Sequence, residues 1–139
     1  MIGDTHVAQC IILGWPAFLH YGTEIADGAI VENTWLHGCR RVDLLADFAR
    51  GRETWVRPSN ATMQQREEST RRAEFRIGHH DYALLLNNCE HLANWCATGF
   101  AFSQQVLDGL RKILGGALML AGACLAWAGF AILSAALGS

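Results

Sequence analysis

A thiol, an imidazole and a carboxylate are the parts of a nucleophilic acyl-transfer site, and this chain holds one candidate of each. Cys89 lies in Asn87-Asn88-Cys89-Glu90-His91, at the start of a helix predicted from Asn88 to about Gly99. Orphan backbone N–H groups and the helix dipole favour negative charge there, so the position is expected to lower the thiol pKa. The same first-turn amides are expected to steady an oxyanion formed by attack at Cys89. Cys89, Leu92, Ala93 and Cys96 share one apolar helix face, which turns the thiol towards the domain body. A buried structural cysteine is the plainer reading of the same residue, since free thiols are commonly buried.

A cysteine nucleophile also needs a base, usually histidine. His91 is nearest, but two helical steps turn it about 200° away from Cys89. It reads as a partly exposed residue that helps fix the helix start. His79 and His80 follow Gly78 in a loop and read as solvated, while His6 and His37 have no partner that spacing supports. His20 is different. It falls in a strand from Leu19 to Ile25, and the return strand of the hairpin, Ala29 to Asn33, brings Glu32 back across Asp27-Gly28. A two-residue turn would place His20 opposite Trp35 and Glu32 opposite Thr23; a bulge or a longer turn would bring His20 and Glu32 closer. A carboxylate beside an imidazole raises its basicity and fixes its tautomer.

The remaining elements follow from period and punctuation. A strand is predicted from His6 to Leu13, broken by Gly14-Trp15-Pro16. A short amphipathic helix is predicted from Val42 to Arg50, ended by Gly51, and a strand from Thr54 to Arg57, stopped by Pro58. Ser59 or Asn60 is expected to cap a charged helix to about Ile77, with Gly78 as its terminator. Tyr82 to Leu86 reads as an extended apolar run, and Ser103 as the cap of a helix from Gln104 to Leu110. Strands first and helices afterwards imply an α+β domain with an antiparallel sheet.

Charge divides the chain of 139 residues in two. No Asp, Glu, Lys, Arg or His occurs after Lys112, so the division is a polar domain, 1–112, and an apolar tail, 113–137. As a helix the tail would extend ~37 Å, enough for a tilted membrane crossing. Arg111 and Lys112 precede it, which would place the N-terminal domain on the cytoplasmic side of a single-pass membrane protein. Gly115, Gly122, Gly129 and Ala136 recur every seventh residue, a small-residue face that permits self-association in lipid. A formal net charge of −2 and the absence of a basic stripe argue against a nucleic-acid partner. The five cysteines form no CxxC pair and no zinc spacing, so neither a metal nor another cofactor is expected. Free thiols, and a start without the basic-then-apolar layout of a secretory signal, suit a reducing compartment.

Taken together these segments resemble the lecithin:retinol acyltransferase-like family, a circularly permuted branch of the papain-like cysteine hydrolases. The resemblance is carried by DYALLLNNCEHLANWCATGFAFSQQ around Asn88-Cys89-Glu90-His91, and by HYGTEIADGAIVE from His20 to Glu32. Gly3-Asp4 and the VDLLADFARG stretch fit more loosely. It implies the permuted papain-like fold, with Cys89 as nucleophile and His20 as general base. The family's third position, usually a second histidine, falls on Glu32, a departure that puts the animal members' substrates in doubt here. Tyr82 resembles a site-proximal tyrosine of the family, and with Asn88 is a candidate for the substrate or oxyanion. The implied activity is a cysteine-dependent hydrolase or acyltransferase acting on membrane phospholipid or another acyl ester through a thioester at Cys89. Two alternatives stand beside it: an amidase or peptidase of the papain-like superfamily, and a catalytically silent, membrane-tethered binding domain.

Overall fold

The computed structural model describes residues 1–12 and 15–137, with the backbone alone at 12, 15, 16, 126 and 128–137. The chain forms two compact units, Met1–Gln105 and Val106–Ser139.

The first unit is built on a five-stranded sheet of order β4-β3-β2-β1-β5. Its strands are β1 (Thr5–Ile12), β2 (Trp15–Glu24), β3 (Ile30–Thr34), β4 (Gly38–Val42) and β5 (Thr54–Val56), and all their pairings are antiparallel. Three helices accompany them: α1 (Leu45–Ala49), α2 (Met63–Arg76) and α3 (Cys89–Thr98). Strand alternation gives the sheet two faces. On one, Val31 and Cys39 pack with Ala73 of α2 and Leu92 and Cys96 of α3, and Val7 and Tyr21 pack with Cys89 and Ala93. On the other, Ala8, Ile30 and Val42 close over Phe48 of α1. The expected α+β class and antiparallel sheet are what the residues form.

Several local expectations are corrected. Pro16 does not end a strand but sits at the start of β2, beside a register shift at Cys10/Ile11, where a missing N–H is tolerated. Leu13, the expected end of the first strand, and Gly14, the first residue of the expected break, lie outside the described residues. β4 was not anticipated; its only sequence signal is Gly38, whose positive φ of 64° opens the strand. α2 is capped by Thr62 rather than Ser59 or Asn60, in a reciprocal box with Gln65. The run from Tyr82 to Leu86 is not extended: Ala83 and Asn87 bridge across a tight turn that leaves Leu84, Leu85 and Leu86 exposed.

The hairpin turn is also longer than two residues. Ile25 N–H donates to Ala29 C=O at 2.8 Å around a short 3-10 turn, Ala26–Gly28, with Asp27 and Gly28 both at positive φ. The register therefore moves by one: Glu32 pairs with Gly22, not Thr23. That puts His20 and Glu32 on one face as diagonal neighbours, a separation that long side chains bridge.

The helix expected to stop at Leu110 continues as α4 (Gln104–Leu137). Among the described residues no helix is long and apolar enough to cross a membrane, so the expected transmembrane span 113–137 is not supported. With the crossing goes the inference about which side of a membrane the first unit faces. A Cβ built on Gly115 or Gly122 would meet nothing within 4 Å, and Gly129 and Ala136 lie outside the described side chains.

Candidate active site

β2 and β3 assemble the first half of the site. His20 Nε2 and Glu32 Oε2 are 2.7 Å apart, with Glu32 wholly buried and His20 nearly so. Gly22 makes the diagonal contact possible. A Cβ there would lie 2.4 Å from Ile30 Cγ2 and 2.9 Å from Phe48 Cε2. The imidazole stacks on Phe48 at 5.3 Å between centroids, which fixes its plane. Glu32 Oε1 accepts from Arg40 Nε at 2.9 Å and from Arg50 Nη2 at 2.7 Å. Burial pushes the Glu32 carboxyl up, but the hydrogen bond and charge of His20, with Arg40 and Arg50, outweigh it and bring the pKa down to about 2.

α3 supplies the second half. Its thiol reaches β2 at the main chain on both sides of His20: Cys89 Sγ lies 4.0 Å from the Leu19 carbonyl and is hydrogen-bonded to the backbone at Tyr21. β3 pairs β2 only at Gly22–Glu24, so this stretch of the strand edge is open to receive it. Gln105 occupies the same edge, accepting from Leu19 N–H at 2.6 Å and donating to Leu19 C=O at 3.0 Å. It thus acts as a one-residue continuation of the sheet.

The thiol is not acidified by its position. Burial pushes the Cys89 pKa up to about 11, against hydrogen bonds from the Tyr21 and Glu90 backbone that lower it. Desolvation of a thiolate outweighs the helix end here, which reverses the expectation from helix position alone.

Asn88 is a cap. Its side-chain oxygen accepts from Glu90 N–H at 2.9 Å and His91 N–H at 3.0 Å, and its amide donates to Leu84 C=O at 2.8 Å. Those two first-turn amides are thereby engaged by the cap. His91 completes the capping box through Nδ1 and is buried rather than partly exposed. Asn88→Ala is expected to destabilise the fold by about 1–2 kcal/mol, read as a lower urea midpoint at unchanged slope. Tyr82 is half-buried; its hydroxyl pKa is raised by desolvation and by the charge of Cys89, so the two groups feel each other.

Arg40, Arg50 and Gln105 were not anticipated. Arg40 needed β4 to be recognised. Arg50 and Gln105 reach their partners across 18 and 86 positions of sequence, which no local pattern marks. His6, without an argued partner, hydrogen-bonds Glu24 at 2.7 Å. His79 and His80 are exposed, as expected. No group of three or more metal-ligating side chains occurs among the described residues.

A family model described as Lecithin retinol acyltransferase matches residues 2–102. Over 69 residues the chain is 41% identical to the lecithin retinol acyltransferases of Mus musculus, Rattus norvegicus and Homo sapiens. Those alignments cover 47% of this chain and 30% of each relative, so the match spans about a third of their length. With the signature helix, the hairpin and a match over most of the first unit, the chain belongs to the lecithin retinol acyltransferase family.

Proposed function

We propose that this chain is a cysteine-dependent acyltransferase or hydrolase of lipid esters, with Cys89 as nucleophile, His20 as general base and Glu32 as the group that orients it. The observation that carries this reading is the 2.7 Å contact between His20 Nε2 and buried Glu32, on the strand whose backbone seats the Cys89 thiol. An ionised Glu32 requires the proton of neutral His20 to sit on Nε2, which leaves the Nδ1 lone pair as the proton acceptor this mechanism assigns to the thiol.

In the first half-reaction the thiol proton passes to His20 Nδ1 and the sulfur attacks the ester carbonyl. The tetrahedral oxyanion collapses to an acyl-thioester, and His20 returns the proton to the departing alkoxide. In the second, His20 deprotonates water or an alcohol or amine acceptor, which attacks the thioester and regenerates the thiol. Tyr82, half-buried beside the Ala83–Asn87 turn that leads into α3, is the side chain we assign to the oxyanion.

The relatives are named for lecithin and retinol, which makes phosphatidylcholine the first acyl donor to test and retinol one acceptor. Lipid as substrate also accords with the second unit, where Leu118, Met119, Leu120 and Leu125 are all exposed. A helix bearing such side chains is suited to a lipid phase.

The test is incubation of the full chain with phosphatidylcholine vesicles, with and without retinol or an amine acceptor. Release of fatty acid, or formation of an acylated acceptor, is the expected result. Cleavage of an amide substrate in place of the ester would shift the reading to an amidase. No product from either would leave a silent binding domain.

A further inference from the structure

The two oxygens of Glu32 serve different partners. Oε2 takes His20 Nε2 at 2.7 Å, while Oε1 takes Arg40 Nε at 2.9 Å, Arg40 Nη2 at 2.8 Å and Arg50 Nη2 at 2.7 Å. One buried carboxylate thus faces two guanidiniums as well as the imidazole. Before His20 takes up a proton, the formal charge of this group is positive, not negative. A carboxylate with imidazole alone would be negative and would hold a proton on the base more firmly.

Each arginine is placed by a separate part of the fold. Glu32 and Arg40 are directly paired across β3 and β4. Arg50 ends α1 in the left-handed region, φ 49° and ψ 43°, although Gly51 follows immediately. A side chain in that conformation is disfavoured by ~1–2 kcal/mol relative to the right-handed one, and this one projects its guanidinium onto Glu32.

Resting on the triad reading above, we propose that Arg40 and Arg50 are positioning residues for the acyl-transfer reaction. They anchor Glu32 by one oxygen so that the other is aimed at His20, and their charge offsets that of the carboxylate at the base. On the face of the sheet that carries His20, the described charged and titratable groups include Glu32 from β3, Arg40 from β4, Arg50 at the end of α1 and Cys10 from β1; Cys89 of α3 meets β2 at the main chain of Leu19 and Tyr21. Glu90 lies beyond Cys89. Arg52 is occupied with Cys10 Sγ and the Phe48 and Ala49 carbonyls, and Phe48 contributes only its ring.

The experiment is the pH dependence of kcat/KM for the full chain on phosphatidylcholine vesicles, comparing wild type with Arg40→Gln, Arg50→Gln, their combination and the two lysine variants. Loss of one positive charge is expected to move the acidic limb up by about half a pH unit, and loss of both by about one, after discounting for the partial exposure of each guanidinium. Lysine, which keeps the charge but not the fork, is expected to hold the limb in place and lower kcat. Arg50→Gly relieves the left-handed backbone and keeps the protein folded; it is expected to move the limb without lowering Tm. An unmoved limb in the double variant, or a uniform loss of rate with a lowered Tm in every variant, overturns the proposal. His20→Gln separates this from failure of the triad reading. If it retains thioester formation at neutral pH, the triad itself is wrong; if it abolishes formation while the arginine variants keep the wild-type profile, only the arginine proposal falls.

Discussion

Cys89→Ala is expected to abolish acyl-thioester formation and to lower turnover on phospholipid by at least ~10³-fold, the scale on which loss of a nucleophile is usually felt. Intact-protein mass spectrometry after treatment with an activated acyl ester reads the thioester directly. Cys96→Ala is the control. Its thiol is wholly buried, lies on the same helix face, and has a pKa pushed up to about 12 by burial. Losing it is expected to cost about 1 kcal/mol of packing and leave labelling intact. Equal labelling of both cysteines would remove Cys89 from its assigned role. The raised thiol pKa adds a second expectation. With a pKa of about 11, unaided ionisation at neutral pH leaves roughly one thiolate in 10⁴ molecules. The proton must therefore be taken by a base as attack begins, and His20→Gln is expected to be nearly as damaging as Cys89→Ala at pH 7. Because the thiol loses its proton as pH rises, the His20→Gln rate should climb tenfold per pH unit towards pH 11, whereas Cys89→Ala stays flat.

Glu32→Gln is expected to lose about 3 kcal/mol of stability at neutral pH. The carboxyl is lowered from its ordinary 4.5 to about 2, so the folded chain binds this proton less readily than the unfolded one. Its contribution is complete above about pH 4.5 and disappears as pH falls through about 2, where both states are protonated. Urea midpoints of wild type and variant should therefore differ widely at pH 6 and converge between pH 4 and pH 2. Asp4 and Glu24 are also held low, by Arg66, His6 and the terminal ammonium after burial has pushed them up. They titrate alike in both proteins and cancel in the difference. A gap that stayed constant down to pH 2.5 would mean that Glu32 contributes by shape rather than charge.

Much of the molecule could be read in the amino acids. Asn88 and Gly99 bound α3 because capping oxygens and left-handed glycine termini act over one turn of chain. Asp27-Gly28 marked the hairpin for the same reason, but not its length. The three-residue turn added one position and altered which residue Glu32 faces. β4 escaped notice because Cys39-Arg40-Arg41 alternates too weakly to stand out, and Arg40's partner went with it.

The sequence by itself determined that Cys89 begins a helix, that His20 and Glu32 lie on the two arms of one hairpin, and that the charge ends at Lys112. These depend on interactions a few residues long. Only the tertiary structure decided the state of the thiol, the division of Glu32 between imidazole and guanidiniums, and the seating of Gln105 on the edge of β2. Desolvation and long-range pairing set all three, and both depend on what the fold brings from elsewhere: β2 against the sulfur, and β4 and α1 against the carboxylate.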